Sequence, residues 1–360
     1  MGMCRISTQK IMGRLLIGEN SLIREACLKI TEACPCDCGF CDSKYKNIKV
    51  NKFLLNKCEW RKISNDLIAS GIKNVVLSGG EPLLRPDITF DLIDLFRANN
   101  VYVVLNTSGV LLDKISLLDD LIYAHPNLIV FSIDHADPVL HDKSRNCDGL
   151  FSKIEKSISY VLEKSDISIG IRTVLTRYNY LELPTIIKKF AGIGVTCFKI
   201  IQIENDREKE YVLSYDDLKK FCYEIKTDVY KIIKMLSFEE PSKLDACKKI
   251  EGLFMHGADW TEIEQDIFSP CFKDSYRCCL GGTFITVQAN GDVLPCCESE
   301  HYYYPILGNL KVMKVEEILS STRFYNFLMN RLDYCIYCTQ MYNIQLTFSR
   351  DTKSVEQTYE

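Results

Sequence analysis

Eighteen of the 360 residues are cysteine, and their spacing carries more chemistry than their number. Cys34, Cys38 and Cys41 stand as C-x3-C-x2-C in the segment EACPCDCGFCDSKY. Three thiolates from one loop suit a cubane [4Fe-4S] cluster, because the fourth iron then lacks a protein ligand and is open to a substrate or cofactor. A structural zinc site wants a fourth nearby Cys or His. Cys36 is at hand for that, although its C-x-C spacing to both neighbours crowds a tetrahedron. A second set comprises Cys271, Cys278, Cys279, Cys296, Cys297, Cys335 and Cys338. There a cysteine at each foot of a hairpin, plus two on one turn, can converge on a four-ligand metal, with a fully Cys-ligated zinc knuckle as the alternative. The other cysteines (Cys4, Cys27, Cys58, Cys147, Cys197, Cys222 and Cys247) are scattered singly and read as small buried hydrophobes.

Such residues need elements to hold them. Between residues 26 and 235, short apolar runs alternate with longer stretches of helical spacing. Strands are expected at 26–31, 74–78, 101–106, 128–133, 167–175 and 197–203, with helices at 59–70, 86–100, 116–124, 150–165, 181–194 and 215–235. Six β/α units with mostly apolar strands mean a parallel sheet covered by helices, and six is short of the eight of a closed barrel. The expected fold class is therefore α/β, a partial (β/α)6 TIM-like barrel. After a less regular stretch, TFITVQANGDVLPCC reads as a hairpin turning at Asn290-Gly291, followed by a helix around 316–332. The resulting layout is an N-terminal segment (1–25), the barrel (26–235), a linker (236–270), a small cysteine-rich β-hairpin-plus-helix domain (271–340) and a polar tail (341–360).

Composition narrows the partners. The formal net charge of −4 offers no basic excess to neutralise a phosphate backbone, so nucleic acid is not expected. No run approaches the ~18 apolar residues of a membrane span, and the first residues lack the core and cleavage site of a secretory signal. A cytoplasmic location is expected, where thiols stay reduced and serve as metal ligands rather than disulfides.

C-x3-C-x2-C after the first strand, Phe40 before its third cysteine, and Gly79-Gly80-Glu81-Pro82 after the second strand together resemble the radical S-adenosylmethionine enzymes. The resemblance spans about residues 26–340. It implies that Cys34, Cys38 and Cys41 ligate the first [4Fe-4S] cluster and that its open iron chelates S-adenosyl-L-methionine. It also implies that Gly79, Gly80 and Glu81 border the methionine end and that Phe40 lies near the adenine. Ser132 and Asp134 resemble the family's ribose-contacting strand end, and Arg172 on the fifth strand suits the cofactor carboxylate, with a surface or structural ion pair as the plainer reading. Asn106-Thr107-Ser108-Gly109 ends the third strand in the same way. His141-Asp142-x-x-Arg145 resembles the peptide-modifying branch, with a capping and loop network as the plainer reading.

The later cysteines, with LGNL at 307–310, resemble the SPASM and twitch auxiliary-cluster domains. The full SPASM pattern continues with three more cysteines beyond its C-x2-C, whereas here they stop at Cys338, so one auxiliary [4Fe-4S] cluster is expected and two clusters in all. The chosen ligands are Cys278, Cys296, Cys335 and Cys338, with Cys279 or Cys271 as substitutes for Cys278. By the resemblance, the reduced first cluster cleaves the cofactor to a 5′-deoxyadenosyl radical that abstracts a substrate hydrogen, and the second cluster takes up an electron afterwards. The expected activity is an oxidoreductase that modifies a peptide, served by an electron donor such as flavodoxin or ferredoxin. A sugar or aminocyclitol dehydrogenase is the alternative, and a non-catalytic iron-sulfur carrier is a third. Only about 25 residues precede the first strand, fewer than the separate peptide-recognition domain of many such enzymes. No acid or base for the substrate is identifiable.

Overall fold

The computed structural model describes residues 23–41, 54–203, 210–235, 284–296, 305–334 and 344–347. Its centre is a run of parallel strands in chain order: β1 (Glu25–Thr31), β2 (Asn74–Gly79), β3 (Tyr102–Thr107), β4 (Leu128–Ser132), β5 (Ser168–Leu175) and β6 (Cys197–Gln202). Between them lie α1 (Lys57–Ala69), α2 (Pro86–Ala98), α3 (Ile115–Ala124), α4 (Pro138–Arg145), α5 (Leu150–Lys164) and α6 (Leu183–Gly192). After β6 come α7 (Tyr215–Lys220), a π-helical turn (Phe221–Ile225) and α8 (Lys226–Met235). The partial (β/α)6 barrel expected from the pattern is the fold observed.

Helix boundaries follow local chemistry. Asn56 caps α1 by accepting from the Glu59 backbone, while Glu59 returns a bond to the Asn56 backbone, satisfying two end donors reciprocally. Pro86 opens α2 at a position where no backbone donor is needed. The strands are buried on both faces, as parallel strands must be. Outward residues pack against helix stripes such as Trp60, Ile63 and Leu67 of α1 and Ile154, Ile158 and Val161 of α5. Val104, Leu128, Val130 and Cys197 form a separate inner cluster.

Four features depart from the sequence expectation. First, the hairpin strands continue the barrel sheet, which the sequence pattern does not reveal: β7 (Phe284–Val287) pairs in parallel with β1, and β8 (Asp292–Leu294) and β9 (Gly308–Asn309) extend the same ten-stranded sheet. Second, β10 (Ile344–Thr347), within the expected tail, pairs antiparallel with β6, its four backbone positions finding partners on an otherwise open edge. Third, the expected helix at 316–332 is two, α9 (Val315–Leu319) and α10 (Thr322–Tyr334), because the Ser321 hydroxyl accepts from the Phe324 backbone and starts a new turn. Fourth, α4 occupies the segment expected to be a loop network. Among the described residues, no helix is long and apolar enough to cross a membrane.

Candidate functional site

The carboxyl ends of β1 to β5 converge, which is where barrels place their chemistry. The β1–β2 ladder shifts register between Lys29 and Thr31, turning the chain out of the sheet into the cysteine loop. Two glycines hold that loop close. Gly79 has φ +131°, and a Cβ there would overlap the Thr31 carbonyl oxygen; one on Gly80 would overlap the carbonyl of Ala33. The same two carbonyls accept hydrogen bonds from the next residue along, Gly80 N donating to Thr31 O at 2.7 Å and Glu81 N to Ala33 O at 2.8 Å. The glycines thus serve close approach, with the loop's own backbone as the neighbour.

Cys38 is buried, and Cys34 and Cys41 are half-buried, none of them in a disulfide. Burial pushes the Cys38 thiol up to about 12, although Arg145 beside it pulls the other way. A hydrogen bond from Cys36 lowers Cys34, while the same bond, followed by burial, raises Cys36. Among the described residues, no three His, Cys, Asp or Glu side chains converge on one point. A mononuclear tetrahedral zinc site requires that convergence, whereas a cubane gives each thiolate its own iron.

Around the loop, buried charge is held in a network. Glu81 is fully buried; Oε1 accepts from Leu83 N at 3.1 Å and from the Thr107 hydroxyl at 2.9 Å, and Oε2 accepts from the backbone and hydroxyl of Ser108. Burial raises its pKa, and those bonds oppose the rise. Glu81 therefore ties the end of β2 to the end of β3. Asp134, just past β4, is equally buried: Oδ1 accepts from Val174 N at 3.0 Å, and Oδ2 lies 2.6 Å from Arg145 Nε as an ion pair outside hydrogen-bond angles. Both carboxylates thus meet protein groups that tie neighbouring strand ends together. Ser132 is buried at the end of β4, in register with Arg172 on β5. Arg172 Nε is buried with no hydrogen-bond partner, and desolvation, with Arg145 nearby, lowers its pKa.

The HDxxR segment resolves into two jobs. Asp142 caps the start of α5, accepting from Gly149 N at 2.6 Å and Phe151 N at 2.8 Å, as the plainer reading expected. His141 and Arg145 instead turn inward: His141 Nδ1 accepts from Asp134 N at 3.2 Å, and Arg145 Nη1 reaches Cys38 Sγ at 3.7 Å. Phe40 lies edge-on to Tyr211, with centroids 5.9 Å apart, and under the Arg145 guanidinium at 5.4 Å. Tyr211 sits against Gly39 and covers the loop, a role sequence reading missed because nothing in its spacing marks it.

Of the later cysteines, Cys296 is described: it is buried, just past Pro295 at the end of β8. Cys271, Cys278, Cys279, Cys297, Cys335 and Cys338 lie outside the described residues, as do Tyr302, Tyr303 and Tyr304 and the linker at 236–270.

A profile described as the radical SAM superfamily matches residues 28–190, and one described as an iron-sulfur cluster-binding domain, SPASM, matches residues 278–340. Among curated proteins, the AdoMet-dependent heme synthase of Methanosarcina barkeri is 26% identical over 309 residues, 83% of each chain. The PqqA peptide cyclase of Gluconobacter oxydans is 22% identical over 310 residues, covering 83% of this chain and 76% of its own. Among solved structures, Streptococcus suis SuiB bound to the precursor peptide SuiA shares the fold at a TM-score of 0.65 and 18% identity, over 88% of this chain and 69% of that one.

Proposed function

The chain belongs to the radical SAM superfamily and carries a SPASM-type iron-sulfur domain, and on that premise we propose that it is an oxidoreductase that modifies a peptide. The observation that carries the site assignment is the juxtaposition of the three-cysteine loop with the buried, unpartnered Arg172 Nε at the same strand ends. Cys34, Cys38 and Cys41 would hold a [4Fe-4S] cluster, and Arg172 would meet the carboxylate of S-adenosylmethionine, a bidentate match for a guanidinium. Phe40 would border the adenine. When bound, these groups supply one-electron cleavage of the cofactor and, from it, a hydrogen abstractor. The protein's share is to orient and to exclude: Glu81 and Asp134 fix the strand ends, and Tyr211 and Phe40 cover the loop.

Gly79 and Gly80 keep the loop within reach of β2, and Ser132 stands beside Arg172 at the β4 end. In the second domain, Cys278, Cys296, Cys335 and Cys338 would hold one auxiliary cluster, as the acceptor for an electron left on the substrate. Flavodoxin or ferredoxin would supply the electron that starts a turnover.

The peptide reading is supported by the peptide cyclase among the relatives and by the fold shared with a protein solved with its precursor peptide. A small-molecule reading is favoured by one observation, the heme synthase match over 83% of both chains. Deuterated candidate peptides, drawn from the neighbouring genes, separate the two under anaerobic reducing conditions. Deuterium appearing in 5′-deoxyadenosine supports the peptide reading; transfer solely from a porphyrin precursor or sugar alcohol overturns it.

A further inference from the structure

We infer that Arg145 sets the reduction potential of the first cluster by donating an N–H···S hydrogen bond to the Cys38 sulfur, with Asp134 and His141 holding it there as positioning residues. The inference rests on the proposed reading that Cys38 ligates a cluster. The Arg145 side chain is 8% exposed, and its fork is divided: Nε faces Asp134 Oδ2 at 2.6 Å, while Nη1 faces Cys38 Sγ at 3.7 Å. Its backbone carbonyl accepts from Asp37 N at 3.3 Å, so the end of α4 grips the cysteine loop by main chain and side chain together. Asp134 is fixed in turn, by Val174 N on its carboxylate and by its own N–H on His141. Phe40 shields the guanidinium from the mouth.

Reduction adds negative charge to a cluster. A cationic donor against one of its sulfurs, away from water, favours the reduced state and raises the potential. Lysine would not replace arginine here, because a single ammonium cannot face a carboxylate and a sulfur in this divided geometry. A guanidinium stays protonated in a protein, and Asp134 at 2.6 Å supplies the counter-charge.

The test uses the full chain, anaerobically reconstituted, in a redox titration followed by electron paramagnetic resonance. Arg145→Gln should move the first cluster's midpoint to more negative potential and leave the auxiliary signal where it was. At a fixed low poise, that means a roughly ten-fold lower reduced-to-oxidised ratio. Arg145→Lys should fall between. Independently of any variant, wild-type protein labelled with 15N-arginine should show a weak nitrogen coupling to the reduced first cluster, retained in Arg172→Lys. An unmoved midpoint in iron-loaded Arg145→Gln overturns the inference. So does the absence of nitrogen coupling in the labelled wild type, which decides the matter even if Arg145→Gln fails to fold or load. A wild-type chain with no reducible first cluster overturns the proposed function itself.

Discussion

Glu81, Asp134, His141 and Arg145 are all buried around the first cysteine loop, whereas among the described residues of 284–296 and 305–330 no ionisable side chain besides Cys296 is buried. The second region is attached instead by apolar packing through Ile285, Val287, Val293, Leu310 and Ile318, with a few polar ties to the barrel. Among these ties, Leu55 N donates to Ala289 O at 2.8 Å and Val315 N to Asp66 at 2.6 Å. Buried, interlocked charge costs stability unless every member is satisfied. Its concentration at one place marks where the chain positions charged cofactors, while the hairpin region is joined as a core is. The two regions also face different ends of the sheet. β7 runs parallel with β1, so β8 returns toward the start of β1 and leaves Cys296 there, while Cys34 follows the end of β1. Along the strand that is about 20 Å at the usual rise.

The contrast breaks most visibly if the cysteines are removed. Changing Cys34, Cys38 and Cys41 together to Ala should take iron from about eight to about four per chain and abolish 5′-deoxyadenosine formation, with circular dichroism unchanged. Wild-type protein holding four iron would collapse the two-site picture. In the second cysteine set, Cys335→Ala or Cys338→Ala should abolish substrate turnover yet leave abortive 5′-deoxyadenosine, since cofactor cleavage is assigned to the first cluster. Normal turnover in a folded variant lacking the second cluster would remove its role as electron acceptor. Within the mouth, Asp134→Ala leaves Arg145 buried without its counter-ion and should lower unfolding free energy by about 3–5 kcal/mol, read by denaturant titration.

A gentler probe is pH. Burial, then the Arg145 and His135 charges, pushes His141 down to about 2. From about 6.5 downward, the unfolded chain takes up a proton at this position that the native state refuses. Its contribution is therefore full above 6.5 and declines by up to about 1.4 kcal/mol per pH unit toward 2. His141→Asn should remove that part of the acid slope. Smallest of all, Lys311→Ala, which deletes a part-exposed 3.1 Å pair with Glu59 between the hairpin region and α1, should cost less than about 0.5 kcal/mol. A loss of several kcal/mol there would mean that the second region is held by charge after all.

The barrel was legible because its strands are apolar runs and its helices carry an apolar stripe. α4 was not, and the reason is inversion: its exposed positions include Val139 and Leu140, and its buried ones are His141 and Arg145. A periodicity argument reads such a helix as a loop. The cysteine loop could be found from spacing alone, but the bond from Arg145 to Cys38 joins residues 107 apart and leaves no local trace. Nor does IQLT announce β10, since four residues of mixed polarity become a strand through the edge they meet. The π-helical turn at Phe221–Ile225 likewise hides inside a pattern that reads as one continuous helix.

That same β10, taken with β7, has a consequence for how the chain comes to be folded. The segments that finish the sheet on both sides come last: β7 to β9 cover the free side of β1, and β10 covers the free side of β6. Among the described residues up to the end of α8, none pairs with the outer edges of β1 and β6, so a nascent chain of that length presents rows of backbone donors and acceptors that invite pairing with another copy. Premature termination before Phe284 should therefore yield insoluble barrel rather than a smaller working enzyme, and co-translational chaperone demand should end only once Thr347 has left the ribosome.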